Sequence, residues 1–391
     1  MSIQLPAKPH FAYIDCARGY AVLMVIATHV TREFPELPSP VKRAAESGWF
    51  GVQLFFLASC LTLLASWHSE IKRAETVSTR AFFLRRFFRI APAYYLAGVL
   101  YYFIAPPQGG FDALQALTFA TFTNAWHPTT TPTTLGAWTV VPGGWSISVE
   151  FAFYACFPLF AAIVTNFRRA SVMLGASIAF GVVANSTALH MLSGSYTPST
   201  VSNFLYFWFP NQVCVFAFGG LLFFAMRDAA RYRQLIARYS TLLASVSVAA
   251  FFILTYPPLG HYLGDWSIIS EDLVVCLPLA AFIVALSGGS GVFVNPMMAS
   301  IGRVSFSAYL LQFAVLQLFR AFPGLLHTQA TSYAAIPFYA VGFVVAALLT
   351  YAAAWFSYRL IEKPTIGFGK RLIGQLQQQG NRPANASQMI G

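Results

Sequence analysis

His29 stands eleven residues after Arg18, and the run between them, Gly19 to Thr28, is almost wholly apolar. Imidazole is the side chain best suited to take up a proton near neutral pH. Placing an ionisable group in hydrocarbon costs at least about 2.5 kcal/mol, so a histidine there marks a functional site unless shown otherwise. Glu150, five residues past Trp145, and Gln312, inside another apolar run, repeat the anomaly. A carboxyl in such a place must be protonated or paired, whereas an amide often only joins helices. A second group is basic: Lys72, Arg73, Arg80, Arg85, Arg86 and Arg89 gather ahead of a third apolar run. Arg86 and Arg89, at i and i+3, share a helix face, and two guanidinium forks so placed can clasp a phosphate. Anchoring to anionic lipid explains the same charges more simply. Arg18 also has a plain alternative, an i,i+3 ion pair with Asp15.

The elements that must hold these residues are transmembrane helices. Of the 391 residues, 57% are hydrophobic and 9% charged, against roughly a quarter charged in soluble proteins. The mean hydropathy is +0.61. A span needs about 20 apolar residues, and ten such stretches occur. They lie near Ile14–Thr31, Gly48–Trp67, Arg86–Ile104, Trp145–Asn166, Ser171–Met191, Asn203–Met226, Thr241–Tyr256, Asp272–Leu286, Ser300–Phe319 and Ala334–Ser357. The expected fold is an all-α, polytopic integral membrane bundle of about ten helices.

The basic residues set its direction. With both termini cytoplasmic, nineteen of the 24 Lys and Arg fall in inner segments, and only Arg32, Lys42, Arg43 and Arg320 fall outside. This is the positive-inside pattern, so the +11 net charge reads as topology rather than as a nucleic-acid surface. Residues 1–366 are expected to form one membrane domain and 367–391 a short disordered cytoplasmic tail. The first helix is expected to stay uncleaved. The five cysteines, Cys16, Cys60, Cys156, Cys214 and Cys276, all sit in apolar runs and have no metal-ligand spacing, so neither a metal nor a disulfide is expected. In the long outer segment from Pro106 to Gly144, Ala113–Trp126 is expected to form a short interfacial or re-entrant helix.

Depth follows from a rise of about 1.5 Å per residue. His29 falls roughly 16 Å outward of Arg18, Glu150 roughly 7 to 8 Å below the outer face and Gln312 roughly 18 Å from the inner face. His29, Glu150 and Gln312 are thus expected in the outer half, and the arginines at the inner mouth.

Asp15-Cys16-Ala17-Arg18-Gly19 with His29 resembles the Arg-(ten residues)-His signature of the membrane acyltransferase-3 family, whose members O-acylate sugars of lipopolysaccharide, peptidoglycan, Nod factors and macrolides. Further blocks agree in order: Gly51-Val52-Gln53-Leu54-Phe55-Phe56-Leu57-Ala58-Ser59, Arg86-Phe87-Phe88-Arg89-Ile90-Ala91-Pro92, Trp145-Ser146-Ile147-Ser148-Val149-Glu150 and Glu362-Lys363-Pro364. Two positions depart from the family pattern. Cys60 stands where a glycine is usual, and Gln312 where many members have a histidine.

The resemblance implies transfer of an acyl group, most often acetyl from acetyl-CoA, to a carbohydrate or glycolipid hydroxyl at the outer side of a bacterial inner membrane. His29 would act as general base or as acyl carrier, and Glu150 would orient its imidazole. Arg18, Arg86 and Arg89 would hold the donor phosphates. Ser59 and Tyr309 would line the acyl channel, and Gln312, Trp145 and Trp126 would contact the acceptor. The rival from residue types alone is a secondary transporter of an anionic metabolite using Arg18, His29 and Glu150.

Overall fold

The computed structural model describes residues 12–74, 78–106, 112–131, 140–256, 271–321 and 332–380. Among them all regular structure is helical. The helices are α1 (Ala12–Val30), α2 (Ser39–Glu46), α3 (Gly51–Ala74), α4 (Thr79–Ile104), α5 (Ala113–Ala120), α6 (Trp145–Ile163), α7 (Phe167–Leu192) and α8 (Pro198–Phe207). They continue as α9 (Phe209–Asp228), α10 (Arg233–Thr255), α11 (Glu271–Ser287), α12 (Pro296–Arg303), α13 (Ser305–Ala321), α14 (Ile336–Ser357) and α15 (Lys363–Gly380), the last two joined by a π-turn at Tyr358–Glu362. Polar side chains start several of them by accepting a free backbone N–H. Ser78 does so at α4, Asn166 at α7, Thr197 at α8 and Asn295 at α12. Asp112 caps α5 within the segment where a short helix is expected.

Each of the ten apolar stretches lies on helix, and the chain is an integral, multi-pass membrane protein. By length and hydropathy six described helical stretches qualify to cross a membrane, or seven if the broken pair α12–α13 is one span; one of the six runs from Pro198 to Thr255 and holds three helices. The count of ten is therefore not reproduced by that measure. Asp15, Arg18 and His29 lower the hydropathy of α1, and α11 has only 17 residues. The apolar exposed faces are those a bilayer would cover. On α7, Val172 is 67% and Val183 64% exposed, and on α14 Leu348 is 63% exposed.

α1 is the hub: it packs against α3, α11, α12, α13 and α14. Its small and branched residues Ala17, Ala21, Val22 and Val25 are buried, which lets neighbours approach closely. The closest approach is at Gly302 on α12, where a Cβ would stand 1.7 Å from the Asp15 carbonyl oxygen. The expected single span Ser300–Phe319 is broken just after this contact: α12 and α13 meet at 77°. Docking of Gly302 on α1 fixes α12 across the bundle, while α13 turns to carry Tyr309 and Gln312 inward, both buried.

The expected disordered tail is corrected as far as Gly380. Residues 367–380 belong to α15, which packs on α4 with Phe368 against Phe88 at 5.3 Å between ring centroids. Gly369, close against Phe88, and Ile373 are the buried residues of this contact. This apolar face is what a purely compositional reading of the Gln- and Gly-rich segment overlooks. Residues 381–391 lie outside the described residues.

Cys60 has a packing role. Its Cβ lies where a Cβ on Gly219 of α9 would come to 2.7 Å, so the larger residue on α3 is matched by a glycine on its neighbour.

Two glycines give opposite expectations. Gly302→Val forces α12 off α1 and should cost about 1–3 kcal/mol, read as a lower unfolding temperature in detergent. Gly175→Ala on α7 meets nothing within 4 Å and should be neutral or stabilising by up to about 1 kcal/mol. Equal effects at the two positions would contradict the α1–α12 contact.

Candidate active site

Where α1, α3, α4, α6 and α13 meet, they enclose a cavity of about 690 Å³ including its open mouth. Arg18, Ser59, Arg86, Arg89, Glu150 and Tyr309 all line it. Six residues singled out from sequence, on five different helices, thus face one space. Ser305 and Phe306 reach it because α13 starts at the sharp bend.

Each charged group is held by identifiable partners. Arg18 donates from Nη2 to Thr62 Oγ1 at 3.0 Å and lies 3.8 Å from Asp15. The Asp15 contact is the i,i+3 pair anticipated above, but Arg18 also turns inward to α3. Arg85 is taken by Glu70 at 2.7 Å, which leaves Arg86 and Arg89 to face the cavity. The Arg86 guanidinium lies 5.9 Å from the ring centroids of Phe82 and Tyr154, a cation–π arrangement. Its Nε is buried without a hydrogen-bond partner among the described residues. An unpaired buried donor costs about 1–3 kcal/mol, a cost that a bound anion can lift from the same guanidinium.

Glu150 lines the same cavity. Its Oε1 accepts from Ser59 Oγ at 2.8 Å and from the hydroxyl of Tyr154, one turn along α6. The expected pairing of Glu150 with His29 does not occur. Glu150 bonds across to α3 and within α6, and so belongs to the arginine-lined cavity.

His29 is not among the cavity-lining residues and lies in the last turn of α1. Its Nδ1 is 3.3 Å from Gln312 Oε1, and its ring packs on Phe313 at 4.4 Å between centroids. Gln312, 1% exposed, also donates from Nε2 to the Tyr309 carbonyl at 3.1 Å. The two centres are bridged by α13: Tyr309 faces the cavity and Gln312, one turn on, holds His29.

Tyr309 is fixed by the start of α6. Its hydroxyl donates to the Gly143 carbonyl and accepts from Ser146 Oγ, both at 2.8 Å. Gly143 has φ +74°, and a Cβ there would come within 3.1 Å of the Tyr309 hydroxyl. Both facts favour glycine.

The two tryptophans are not part of the cavity lining. Trp145 is buried, edge-on to Phe56 and against Phe207 at 4.6 Å, where it packs α6 on α3 and α8. Trp126 is 49% exposed and stacks on Phe209 at 6.3 Å. Trp138 and His261 lie outside the described residues. His127 is in an exposed loop, bonded to Thr129.

Sequence reasoning missed Tyr154, Thr62 and Ser146, each i+4, i+3 or i−4 from a residue it did select. It also missed a second buried polar cluster. Asp272, fully buried, accepts from Gln53 at 2.8 Å, Gln212 at 2.9 Å, Tyr206 at 3.0 Å and Asn211 at 3.3 Å. The signal for it was an acidic residue at the head of the eighth apolar stretch. No group of His, Cys, Asp and Glu among the described residues is arranged to hold a metal.

Residues 11–355 match the family model described as an acyltransferase domain. The chain is 26% identical over 316 residues to the acyltransferase MdmB of Streptomyces mycarofaciens, covering 77% of each chain. It is 23% identical over 377 residues to the peptidoglycan O-acetyltransferase OatA of Listeria monocytogenes, covering 92% of this chain and 56% of that one. Over 374 residues it is 23% identical to the O-acetyltransferase OatA of Staphylococcus aureus, covering 90% and 56%. The chain thus spans little more than half the length of the OatA relatives. No solved structure matches it.

The Glu150 contacts are testable by a double-mutant cycle. Tyr154→Phe and Glu150→Gln should each destabilise the protein, and together fall short of additivity by about 1–3 kcal/mol. Additive losses would show that the two side chains do not interact.

Proposed function

Because the chain belongs to the acyltransferase-3 family of membrane acyltransferases, we propose that it moves an acyl group, acetyl in the simplest case, from a cytoplasmic acyl-CoA to a carbohydrate or glycolipid hydroxyl at the outer side of a bacterial inner membrane. The observation that carries this reading is the convergence of Arg18, Arg86 and Arg89 on one cavity, with one buried guanidinium N–H still unpaired. Three fixed cations suit the phosphates of CoA. Asp15 and Glu150 offset only part of their charge.

When bound, the donor supplies an acyl thioester; the chain supplies placement and proton transfer. Arg18, Arg86 and Arg89 hold the phosphate end, and Ser59 with Tyr309 lines the way outward. Glu150 keeps Ser59 and Tyr154 oriented along the wall. At the outer end of α1, His29 takes the proton from the acceptor hydroxyl as its oxygen attacks the acyl carbon; the thioester C–S bond breaks, and the departing CoA thiolate takes up that proton. In the covalent route the imidazole first displaces the CoA thiolate to carry the acyl group, then loses it to the acceptor oxygen, whose proton ends on the thiolate. Gln312 holds the imidazole from α13. Trp126, exposed and aromatic, offers a face on which a sugar ring could pack, whereas buried Trp145 packs α6 on α3 and α8. The peptidoglycan O-acetyltransferase of Listeria monocytogenes makes a peptidoglycan sugar one candidate acceptor.

The test uses purified protein in nanodiscs with acetyl-CoA and a glycan acceptor. His29→Ala should lower turnover by about 100-fold or more. Arg86→Ala should raise KM for acetyl-CoA while leaving KM for the acceptor unchanged. Thioester turnover that survives His29→Ala, or anion uptake without thioester cleavage, would overturn the reading, the latter in favour of transport.

A further inference from the structure

Gln312 can present either end of its amide to His29, and two neighbouring contacts decide which. A backbone carbonyl only accepts, so the Gln312 atom 3.1 Å from the Tyr309 carbonyl must be its NH2 group. The other atom, the carbonyl oxygen, is then the one 3.3 Å from His29 Nδ1. That oxygen only accepts as well, so Nδ1 must carry a proton for the contact to be a hydrogen bond. In a neutral imidazole one nitrogen is protonated and the other is not. The lone pair of His29 is thereby left on Nε2.

We propose that Gln312 is a positioning residue that fixes His29 in the Nδ1–H tautomer and so makes Nε2 the nitrogen that receives the acceptor proton. Tyr309 is part of the same device. Its carbonyl orients the Gln312 amide, while its hydroxyl is locked between Gly143 and Ser146. The chain of fixed contacts runs from the start of α6 through α13 to α1. Phe313 sets the ring plane from the same helix. Glu150 is engaged by Ser59 and Tyr154, so the orienting part that a carboxylate plays in a triad falls here to a neutral amide. The role originally assigned to Gln312, contact with the acceptor, becomes contact with the base.

The inference rests on His29 acting as the base, but its test does not. Histidine-selective 15N labelling of the full chain in nanodiscs, with the His29 signals assigned by difference from His29→Gln, reports which nitrogen is protonated. Wild-type protein should show Nδ1–H. Gln312→Met keeps the length and removes the side-chain acceptor, leaving only the backbone of Val25, one turn back on α1, bonded to the ring, so part of the signal should shift from Nδ1–H toward Nε2–H and kcat should fall by about tenfold or more with KM for acetyl-CoA unchanged. Gln312→Glu restores an acceptor and should return the Nδ1–H signal. An Nε2–H signal in wild type overturns the proposal even if Gln312→Met fails to fold. So does a Gln312→Met protein that keeps both the Nδ1–H signal and full kcat. If Nδ1–H is found but His29→Ala retains full turnover, the tautomer assignment stands and the base role of His29 is what fails.

Discussion

In a bundle with few charged residues, surrounded by a medium that cannot hydrogen-bond, a guanidinium or carboxylate is costly unless another side chain or a bound ion meets it. That constraint organises the molecule. Arg18 is kept by Thr62 and Asp15, Glu150 by Ser59 and Tyr154, and His29 by Gln312. Most of these contacts join different helices, so the groups that would do chemistry are also the polar contacts between helices. The price is low tolerance: removing one partner strands the other in an apolar interior.

α1 carries this arrangement because it carries both ends of the site. Small residues let α3, α11, α12, α13 and α14 close around it, and Gly302 lets α12 reach the backbone at Asp15. The bend that follows is what separates α13 from a plain span. It aims Ser305 and Tyr309 at the cavity and Gln312 at His29. A proline does not make this bend; it falls between Arg303 and Ser305, next to the glycine contact.

Much of this was legible in the sequence. Polar residues are rare enough in apolar runs that Arg18, Ser59, Arg86, Arg89, Glu150 and Tyr309 could each be singled out, and all six line one cavity. Partnership was less legible. Depth along a helix says nothing about which neighbour a side chain faces, so Glu150 was matched to His29 by height, whereas rotation of α6 turns it to Ser59 on α3. Gln312 stands where many family members have a histidine, and the sequence shows its type and not its orientation. Its second hydrogen bond, to the Tyr309 carbonyl, fixes which end of its amide meets His29. Trp145 and Trp126 were chosen as aromatics near the outer face, and only packing distinguishes a core ring from an exposed one. The helix at 363–380 was masked by polar composition, although Ile366, Gly369 and Ile373, at helical spacing, give it an apolar side.

In the proposed reaction the two centres divide the work: the arginine-lined cavity would hold the donor phosphates and the His29–Gln312 pair would take the proton, with α13 touching both. A cryo-EM map of the protein in nanodiscs with bound coenzyme A tests that division directly. The expected map shows the phosphates within hydrogen-bond distance of Arg18, Arg86 and Arg89, and the pantetheine arm running past Ser59 toward His29. Phosphate density away from these three arginines, or a thiol end pointing away from His29, would contradict it.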